Sequence, residues 1–346
     1  MTSIRDLRMA SPRKVLITGG HEVGGMNAFA VGLSEGFAAL GIPAEVITPA
    51  QVLRRWRDLR DPEVLKILST RAAFAAPFAR RAICVAHGFP RVDVAKWTKS
   101  AAIFASYKIA SSISSSRFVA VSDYVAAQLR CLFNLRVDGV IHNPVQSSFL
   151  EPFELSETRC YMTFVGRLVE AKNVDRLLPA MRGIQKENPH LRICIVGDGP
   201  QRQTLESSLP ADSTVQFMGN LDASSVRGIL RRTKVFISGN EMEPFGIAYV
   251  EALSQGCAVV MPASGGGLEI APELIGNRVQ LFPLSFDYQG VCCAIQRALS
   301  APDNSFELTA YGPRFVAEAY LQVYRTGFAS HRAPREQKQC VPSPSA

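Results

Sequence analysis

The feature that most constrains the fold is a series of short apolar runs separated by helix-like stretches. The run "KVLITGG" (residues 14–20) is followed, from Gly25, by apolar residues spaced along one face of a helix, and then by "AEVIT" (44–48). This order predicts a strand, a helix that ends at Gly41 and a second parallel strand. Three more runs predict strands in the same part of the chain: "AICVAH" (82–87), "RFVAVS" (117–122) and "GVIHN" (139–143).

A second series of predicted strands follows a polar, turn-rich stretch, residues 145–159, which we interpret as a linker between domains. Its members are "YMTFVG" (161–166), "RICIVGDG" (192–199), "VQFMG" (215–219), "KVFISG" (234–239), "AVVMP" (258–262) and "VQLFP" (279–283). The sequence therefore predicts an α/β protein with two Rossmann-like, doubly wound parallel-sheet domains, residues 1–150 and 151–310. Because such sheets bind ligands at the carboxyl ends of their strands, two sheets that face each other predict a ligand-binding cleft.

The composition limits the partners and cofactors without naming one. The net charge of +8 is compatible with phosphates, nucleotides or an anionic membrane surface, and equally with an ordinary basic protein. The eight cysteines include no C-x-x-C pair and the five histidines no H-x-x-x-H pair, so we expect no metal site. No stretch approaches the roughly 18 apolar residues of a membrane-spanning helix. We therefore expect a cytoplasmic protein that contacts the membrane, if at all, at its inner face.

Two loops that follow predicted strands have the composition of phosphate-binding sites. The loop "GGHEVGGMN" (19–27) joins the first strand to the first helix, and its glycines allow backbone N–H groups to approach an anion. The loop "VGRLVEAKN" (165–173) carries Arg167 and Lys172, whose guanidinium and ammonium groups suit a diphosphate. The alternatives are an ordinary tight turn in the first case and two solvated basic residues in the second.

The stretch "EMEPFGIAYVEALSQGCAVVMP" (241–262) places two carboxylates, Glu243 and Glu251, around a Pro-Phe-Gly turn. We expect this turn to lead into a helix whose first backbone N–H groups can bind an anion. A carboxylate accepts two hydrogen bonds and therefore suits a vicinal diol. The spacing favours a site that holds a diphosphate between a sugar and a ribose. The alternative is one glutamate at a helix start and one on the surface.

Several motifs, taken in order, resemble those of glycosyltransferase family 4, whose members have the GT-B fold and an E-x7-E motif. They are "GGMNAFAVGLSEGFAALGIPAEVIT", "VAHG", "VAVSDYVAAQL", "HNPV", "FVGRLVEAKN", "IVGDGPQRQTLE", "VQFMGNL" and "EPFGIAYVEALSQGCAVVMPASGGGLEI". The resemblance covers nearly the whole chain, and Glu243 and Glu251 occupy the two glutamate positions of the motif.

The resemblance implies how a nucleoside-diphosphate sugar, the donor, is bound. Arg167 and Lys172 would hold the donor diphosphate, which Gly24 and Gly25 would approach from the first domain. Glu251 would bind the donor ribose.

The resemblance also implies which residues act at the donor sugar. Glu243 would contact the sugar, and the backbone N–H groups of Phe245, Gly246 and Ile247 would address the sugar and phosphate. His87, in "AHG", is similar to a family histidine that lies near the donor sugar. His87 and Glu243 are therefore the expected catalytic residues; the alternative for His87 is a core or capping histidine.

The implied activity is the retaining transfer of a hexosyl group from a nucleoside-diphosphate sugar to a hydroxyl group of a glycan, a lipid or a small molecule. No residue stands out as a covalent nucleophile, so the implied chemistry is front-face attack as the diphosphate leaves. No metal ion, other cofactor or nucleic acid is expected. The alternatives are a non-catalytic nucleotide-sugar-binding protein and a GT-B-fold epimerase or phosphorylase.

Three segments lie outside the two predicted sheets or depart from the family pattern. Residues 311–330 resemble the C-terminal helix that returns to the first domain in this fold, and the polar tail 331–346 is expected to be disordered. The segment 54–81 alternates basic and apolar residues. It is interpreted either as an amphipathic element for a membrane surface or acceptor, or as basic solvated helices over a core.

Overall fold

The computed structural model describes residues 11–19, 24–88, 97–113, 115–152, 159–210, 213–302 and 308–326. Within these ranges the chain forms two six-stranded parallel sheets. The first contains β1 (Lys14–Thr18), β2 (Ala44–Ile47), β3 (Val64–Ser69), β4 (Ala82–Ala86), β5 (Ser116–Ala120) and β6 (Gly139–Val140). The second contains β7 (Tyr161–Val165), β8 (Arg192–Val196), β9 (Gln216–Gly219), β10 (Thr233–Ile237), β11 (Ala258–Pro262) and β12 (Val279–Phe282). The predicted α/β fold with two doubly wound parallel sheets is confirmed.

Helices cover the faces of both sheets. We call the part of the chain with β1–β6 the first half and the part from β7 onward the second half. The helices of the first half are α1 (Gly25–Ala39), α2 (Trp56–Arg60), α3 (Trp97–Ser112), α4 (Asp123–Phe133) and α5 (Ser147–Leu150). Those of the second half are α6 (Val174–Glu187), α7 (Arg202–Ser207), α8 (Ala223–Arg231), α9 (Ile247–Ser254), α10 (Tyr288–Leu299) and α11 (Pro313–Thr326). Within the described ranges, every helix is too short or too polar to cross a membrane.

The order of the strands fixes where each sheet can bind a ligand. The first sheet has the order β2-β1-β3-β4-β5-β6 and the second the order β12-β11-β10-β7-β8-β9. In each sheet the chain winds outward in one direction, returns to the middle and then winds in the other. Loops diverge at that switch point, so a crevice opens at the carboxyl ends of β1 and β3, and of β7 and β10.

The segment 54–81 contains a strand that the sequence pattern did not predict. Residues Val64–Ser69 form β3, which pairs with both β1 and β4 and is buried along its whole length. Lys66 interrupts the apolar pattern of this strand, and an ammonium group rarely lies inside a sheet, so the pattern did not indicate a strand. Its Nζ atom donates hydrogen bonds to the carbonyl oxygens of Asp61 and Arg80, which satisfy the buried charge. The interpretation of this segment as continuous solvated helices is therefore wrong for residues 64–69.

The last described helix, α11, lies against α1 of the first half. A Cβ atom at Gly36 of α1 would lie 2.0 Å from the carbonyl oxygen of Pro313, so the two backbones are in direct contact. Further along α11, the Tyr324 hydroxyl donates to the carbonyl oxygen of Pro62 at 2.7 Å. The last described helix therefore packs on the first half of the chain. The predicted disordered tail, residues 331–346, lies outside the described residues, and the division near residue 150 stays a prediction.

Candidate active site

Lys172 and Glu243 meet at the switch point of the second sheet. Lys172 follows β7 and Glu243 follows β10, two strands that pair side by side. Lys172 Nζ donates to Glu243 Oε2 at 2.7 Å, and both side chains are largely buried. The Nδ2 atom of Asn240 donates to the same oxygen at 2.7 Å. The ion pair therefore lies where the topology opens a crevice, although the two residues are far apart in the sequence.

Arg167 also follows β7, but its side chain is exposed to solvent. In the described part of the chain no ion pair or hydrogen bond of its guanidinium group is recorded, whereas Lys172 is already paired with Glu243. Of the two predicted diphosphate-binding cations, Arg167 is thus the one whose donors all remain available to an anion.

The Pro-Phe-Gly turn leads into α9 as the sequence predicts. Gly246 precedes the helix with φ 99°, in the left-handed region, and a Cβ atom there would lie 2.5 Å from the ring of Tyr249. Only glycine fits this position. Among the described residues no hydrogen-bond acceptor is recorded for the backbone N–H groups of Phe245, Gly246 and Ile247. Three donors and the positive end of the helix dipole are therefore available to an anion.

Glu251 lies one turn into α9 with a half-buried carboxyl group. Within the described residues this group makes no hydrogen bond or ion pair, in contrast to Glu243, which accepts from Lys172 and Asn240. Burial raises the pKa of Glu251 from 4.5 to about 7. A carboxyl group that is costly to bury and lacks a protein partner is typical of a group reserved for a ligand.

The first half of the chain contributes His87 and the start of α1. His87 follows β4, and its Nε2 atom lies 3.1 Å from the Ser69 hydroxyl at the end of β3. Its ring packs edge-on against Phe29 of α1, with centroids 4.5 Å apart. Burial lowers the pKa of His87 to about 4, so the imidazole is neutral at pH 7. His87 can therefore act as a neutral hydrogen-bonding group, but not as a cation.

Gly24 and Gly25 lie at the N-terminus of α1, beside the switch point of the first sheet. Among the described residues, and apart from the chain neighbours, no atom lies within 4 Å of a Cβ atom added at either glycine. Residues 20–23 of the same glycine-rich loop lie outside the described residues. The open helix start is compatible with the predicted approach to a diphosphate.

The two halves touch at the Pro-Phe-Gly turn. A Cβ atom at Gly88, next to His87, would lie 3.4 Å from Pro244 Cγ. The Ser122 hydroxyl of the first half donates to the carbonyl oxygen of Pro244. The Pro-Phe-Gly turn therefore contacts residues that follow β4 and β5 of the first half.

Four polar residues near the site were not singled out in the sequence: Asn240, Ser122, His142 and Glu269. Asn240 lies between the strand run 234–239 and the stretch that begins at Glu241, and its position three residues before Glu243 is the signal that could have indicated it. The others act across the two halves. They lie inside motifs quoted above, "VAVSDYVAAQL", "HNPV" and "ASGGGLEI". Their partners are more than 100 positions away in the sequence, for example 146 between Glu269 and Asp123, so a local pattern could not show what they contact.

No cluster of three or more potential metal ligands occurs among the residues that the structure describes. In the same part of the chain, the basic side chains and the N–H groups at the start of α9 are groups that can neutralise an anion.

Comparison with protein families gives a match in the second half of the chain. Residues 146–281 match the family described as glycosyl transferases group 1. The matched segment runs from the linker to β12 and includes Arg167, Lys172, Glu243 and Glu251.

Two curated relatives show the range of named activities. A human subunit of phosphatidylinositol N-acetylglucosaminyltransferase is 30% identical over 57% of this chain and 42% of its own length. The GDP-mannose-dependent alpha-mannosyltransferase of Mycolicibacterium smegmatis is 32% identical over 40% of this chain and 33% of its own length. The chain thus spans less than half of the length of these relatives.

Among solved structures, Anabaena HepE in complex with UDP and glucose matches with a TM-score of 0.64 at 14% identity. The match covers 90% of this chain and 94% of that one, and it concerns the fold. The likeness to solved structures thus concerns the two-sheet GT-B fold, and the family match concerns residues 146–281 of this chain.

Proposed function

We propose that the protein is a retaining glycosyltransferase of family 4 that transfers a hexosyl group from a nucleoside-diphosphate sugar to a hydroxyl group. The acceptor is a glycan, a lipid or a small molecule. In this proposal residues 1–150 form the acceptor-side domain and residues 151–310 the donor-side domain.

The observation that carries the proposal is the constellation at the switch point of the second sheet. Lys172 is paired with Glu243, and Arg167 and the start of α9 follow the same two neighbouring strands, β7 and β10. We infer that these basic side chains and the α9 N–H groups form one anion-binding region for a diphosphate. Glu243 and Glu251 supply carboxylates beside these groups. Glu243 is held by Lys172 and Asn240, and Glu251 has no hydrogen-bond partner among the residues that the structure describes. This arrangement supports a ligand with a diphosphate between two diol-bearing groups.

The chemistry that these residues can perform is electrostatic. As the bond between the sugar and the diphosphate breaks, negative charge grows on the leaving group, and Arg167, Lys172 and the α9 N–H groups stabilise it. Glu243 lies beside the sugar, where positive charge develops. His87, neutral and held by Ser69, donates or accepts a hydrogen bond at a sugar hydroxyl group. The acceptor hydroxyl group attacks on the face from which the diphosphate departs, so the anomeric configuration is retained.

The direct test is a panel of UDP-, GDP- and ADP-sugars, screened for thermal stabilisation of the protein and for release of the nucleoside diphosphate. We expect one donor class to raise the melting temperature and to be hydrolysed slowly without an acceptor. Stabilisation without turnover, with or without candidate acceptors, would favour a non-catalytic binding protein. Interconversion of the sugar, or its release by phosphate, would favour the epimerase or phosphorylase alternative.

The proposal assigns charge neutralisation to protein groups rather than to a metal ion. Activity is therefore expected to persist in excess EDTA. Loss of activity that is restored by a divalent cation would contradict this assignment.

We further propose that an anionic membrane surface, contacted from the cytoplasmic side, is a partner. Four large apolar side chains of the first half, Leu53, Trp56, Phe74 and Phe78, are between 41% and 64% exposed. The Trp56 and Phe78 rings lie 5.8 Å apart, and Arg60 stacks on Trp56 at 4.1 Å. We call these four side chains, with the exposed arginines at positions 54, 57, 60, 71 and 80, the arginine–aromatic patch. Exposed aromatic side chains with arginines around them favour an anionic lipid surface.

A further inference from the structure

The start of helix α4 in the first half is capped by a side chain from the second half. The two carboxylate oxygens of Glu269 accept hydrogen bonds from the backbone N–H groups of Asp123 and Tyr124, each at 2.7 Å. The next N–H group, that of Val125, donates to the Ser122 hydroxyl at 3.1 Å, within the first half. The first N–H groups of a helix have no acceptor inside the helix, so Glu269 supplies the acceptors for these two N–H groups of α4.

Glu269 is held in the charged form that such a cap needs. Burial by itself raises the pKa of its carboxyl group, but the nearby His142 ring and the hydrogen bonds from the start of α4 outweigh burial and lower the pKa. His142 Nε2 lies 3.6 Å from the carboxylate. The His142 ring also packs on Phe245 of the Pro-Phe-Gly turn, with centroids 5.3 Å apart. The cap is therefore adjacent to the candidate active site.

The loop between β11 and Glu269, residues 263–269, also contacts the backbone of Glu243 and Pro244. The N–H group of Gly266 donates to the carbonyl oxygen of Glu243 at 2.8 Å. A Cβ atom at Gly266 would lie 2.1 Å from the carbonyl oxygen of Pro244 and 2.9 Å from the Ser122 hydroxyl, so loop, turn and α4 are in direct contact. A continuous path of contacts thus runs from α4 through Glu269 and its loop to Glu243.

We propose that Glu269 is a positioning residue: by capping α4 it holds the two halves closed over the site and fixes the backbone of Glu243. Its carboxylate does not contact the transferred sugar. The kinetic consequence rests on the proposed function, whereas the contact between the halves does not, so the two are tested separately.

The contact is tested by residue-resolved hydrogen–deuterium exchange of the wild type and Glu269→Ala. In the wild type the amides of Asp123 and Tyr124 donate to Glu269, whereas that of Val125 donates to Ser122. We expect the first two amides to exchange about tenfold faster or more in the variant, the low end for a charge-assisted hydrogen bond. The Val125 amide, the internal control, should change much less. Unchanged exchange of Asp123 and Tyr124, or equal acceleration of all three amides, would overturn the proposal.

The positioning role is tested by kinetics with the donor identified in the nucleotide-sugar screen. We expect Glu269→Ala to lower kcat about tenfold or more with little change in the donor KM, because Glu243 acts in the transition state. Glu269→Gln, which keeps one acceptor oxygen, should fall between the wild type and Glu269→Ala. Glu273→Ala, an exposed glutamate four residues away, is the matched control. If Glu269→Ala behaved like Glu273→Ala, the proposal would be wrong. If the wild type transferred no sugar, the proposed function would fail, and the exchange measurement would still decide the contact.

Discussion

At the scale of single residues, Glu243 and Glu251 differ in what holds them. Glu243 is bonded to Lys172 and Asn240, while Glu251 has no recorded partner among the described residues. The proposed roles differ in the same way: Glu243 acts where the bond breaks, and Glu251 binds a ribose that does not react. Glu251→Gln should therefore raise the donor KM and weaken the free nucleoside diphosphate by a similar factor.

Glu243→Gln should instead lower kcat and leave the affinity for the nucleoside diphosphate nearly unchanged. Loss of a charge-assisted hydrogen bond corresponds to about 10–150-fold in either variant. Steady-state kinetics and calorimetric titration with the nucleoside diphosphate measure both effects. Equal weakening of the nucleoside diphosphate by the two variants would refute the division of roles.

The raised pKa of Glu251 makes a second prediction that needs no substrate. Between pH 4.5 and 7 the folded protein keeps a proton that the unfolded chain has released. The free energy of unfolding therefore includes a favourable contribution below pH 4.5, which is lost as the pH rises through about 7. Glu251→Gln cannot ionise, so it should melt a few degrees higher than the wild type at pH 8 and show a smaller difference at pH 5.

Thermal melts of the wild type, Glu251→Gln and the exposed control Glu273→Gln across this pH range measure the effect. A Glu251→Gln variant that was less stable than the wild type at pH 8 would show that the carboxylate has a stabilising partner.

At the scale of elements, the contact between α1 and α11 depends on one glycine. Gly36→Ala places a methyl group 2.0 Å from the Pro313 carbonyl oxygen, so α11 must shift. We expect a loss of roughly 1–3 kcal/mol in the free energy of unfolding, as for other overpacked sites. The matched control is Gly228→Ala in α8, where the new Cβ atom meets nothing within 4 Å. It should stabilise the protein by up to about 1 kcal/mol, because alanine favours a helix.

Chemical denaturation of the two alanine variants provides the comparison. If Gly36→Ala were as stable as Gly228→Ala, α11 would not be packed on α1 in solution.

Elements with a continuous apolar pattern could be predicted from the sequence, and one without it could not. The runs at 82–86 and 258–262 are buried along their whole length, so their composition alone indicates strands inside a parallel sheet. β3 carries Lys66 at its centre, and the two carbonyl groups that accept from its ammonium group belong to residues outside the strand. A pattern confined to the strand cannot show that such a charge is satisfied.

At the scale of the whole molecule, the parts of the candidate site could be predicted from the sequence, but the contact between the two halves around it could not. Lys172, Glu243 and the start of α9 each follow a recognisable strand, and the rule for parallel sheets brings strand ends together. The cap that Glu269 forms on α4 depends on how two separately wound sheets face each other. That arrangement is set by many weak contacts, such as Gly88 with Pro244, and no single motif encodes it.

The distribution of charge over the whole molecule favours membrane binding through the first half. The chain carries a net charge of +8, and the arginine–aromatic patch combines basic groups with apolar side chains. The protein should therefore sediment with vesicles that contain anionic lipid, bind purely zwitterionic vesicles weakly, and lose affinity as the salt concentration rises.

Two pairs of variants test whether the patch, rather than net charge alone, is responsible. Arg57→Glu lies in the patch, and Lys186→Glu, on an exposed site of α6, changes the net charge equally. Phe78→Ser and Leu284→Ser each remove an apolar side chain that is about half exposed, at 49% and 48%. We expect Arg57→Glu and Phe78→Ser to weaken binding to anionic vesicles severalfold, since each basic group near the surface is worth about 1 kcal/mol. The two controls should bind nearly as the wild type does. Equal losses within each pair would mean that the membrane attracts the protein by its overall charge, and the assignment of the patch as the contact would be abandoned.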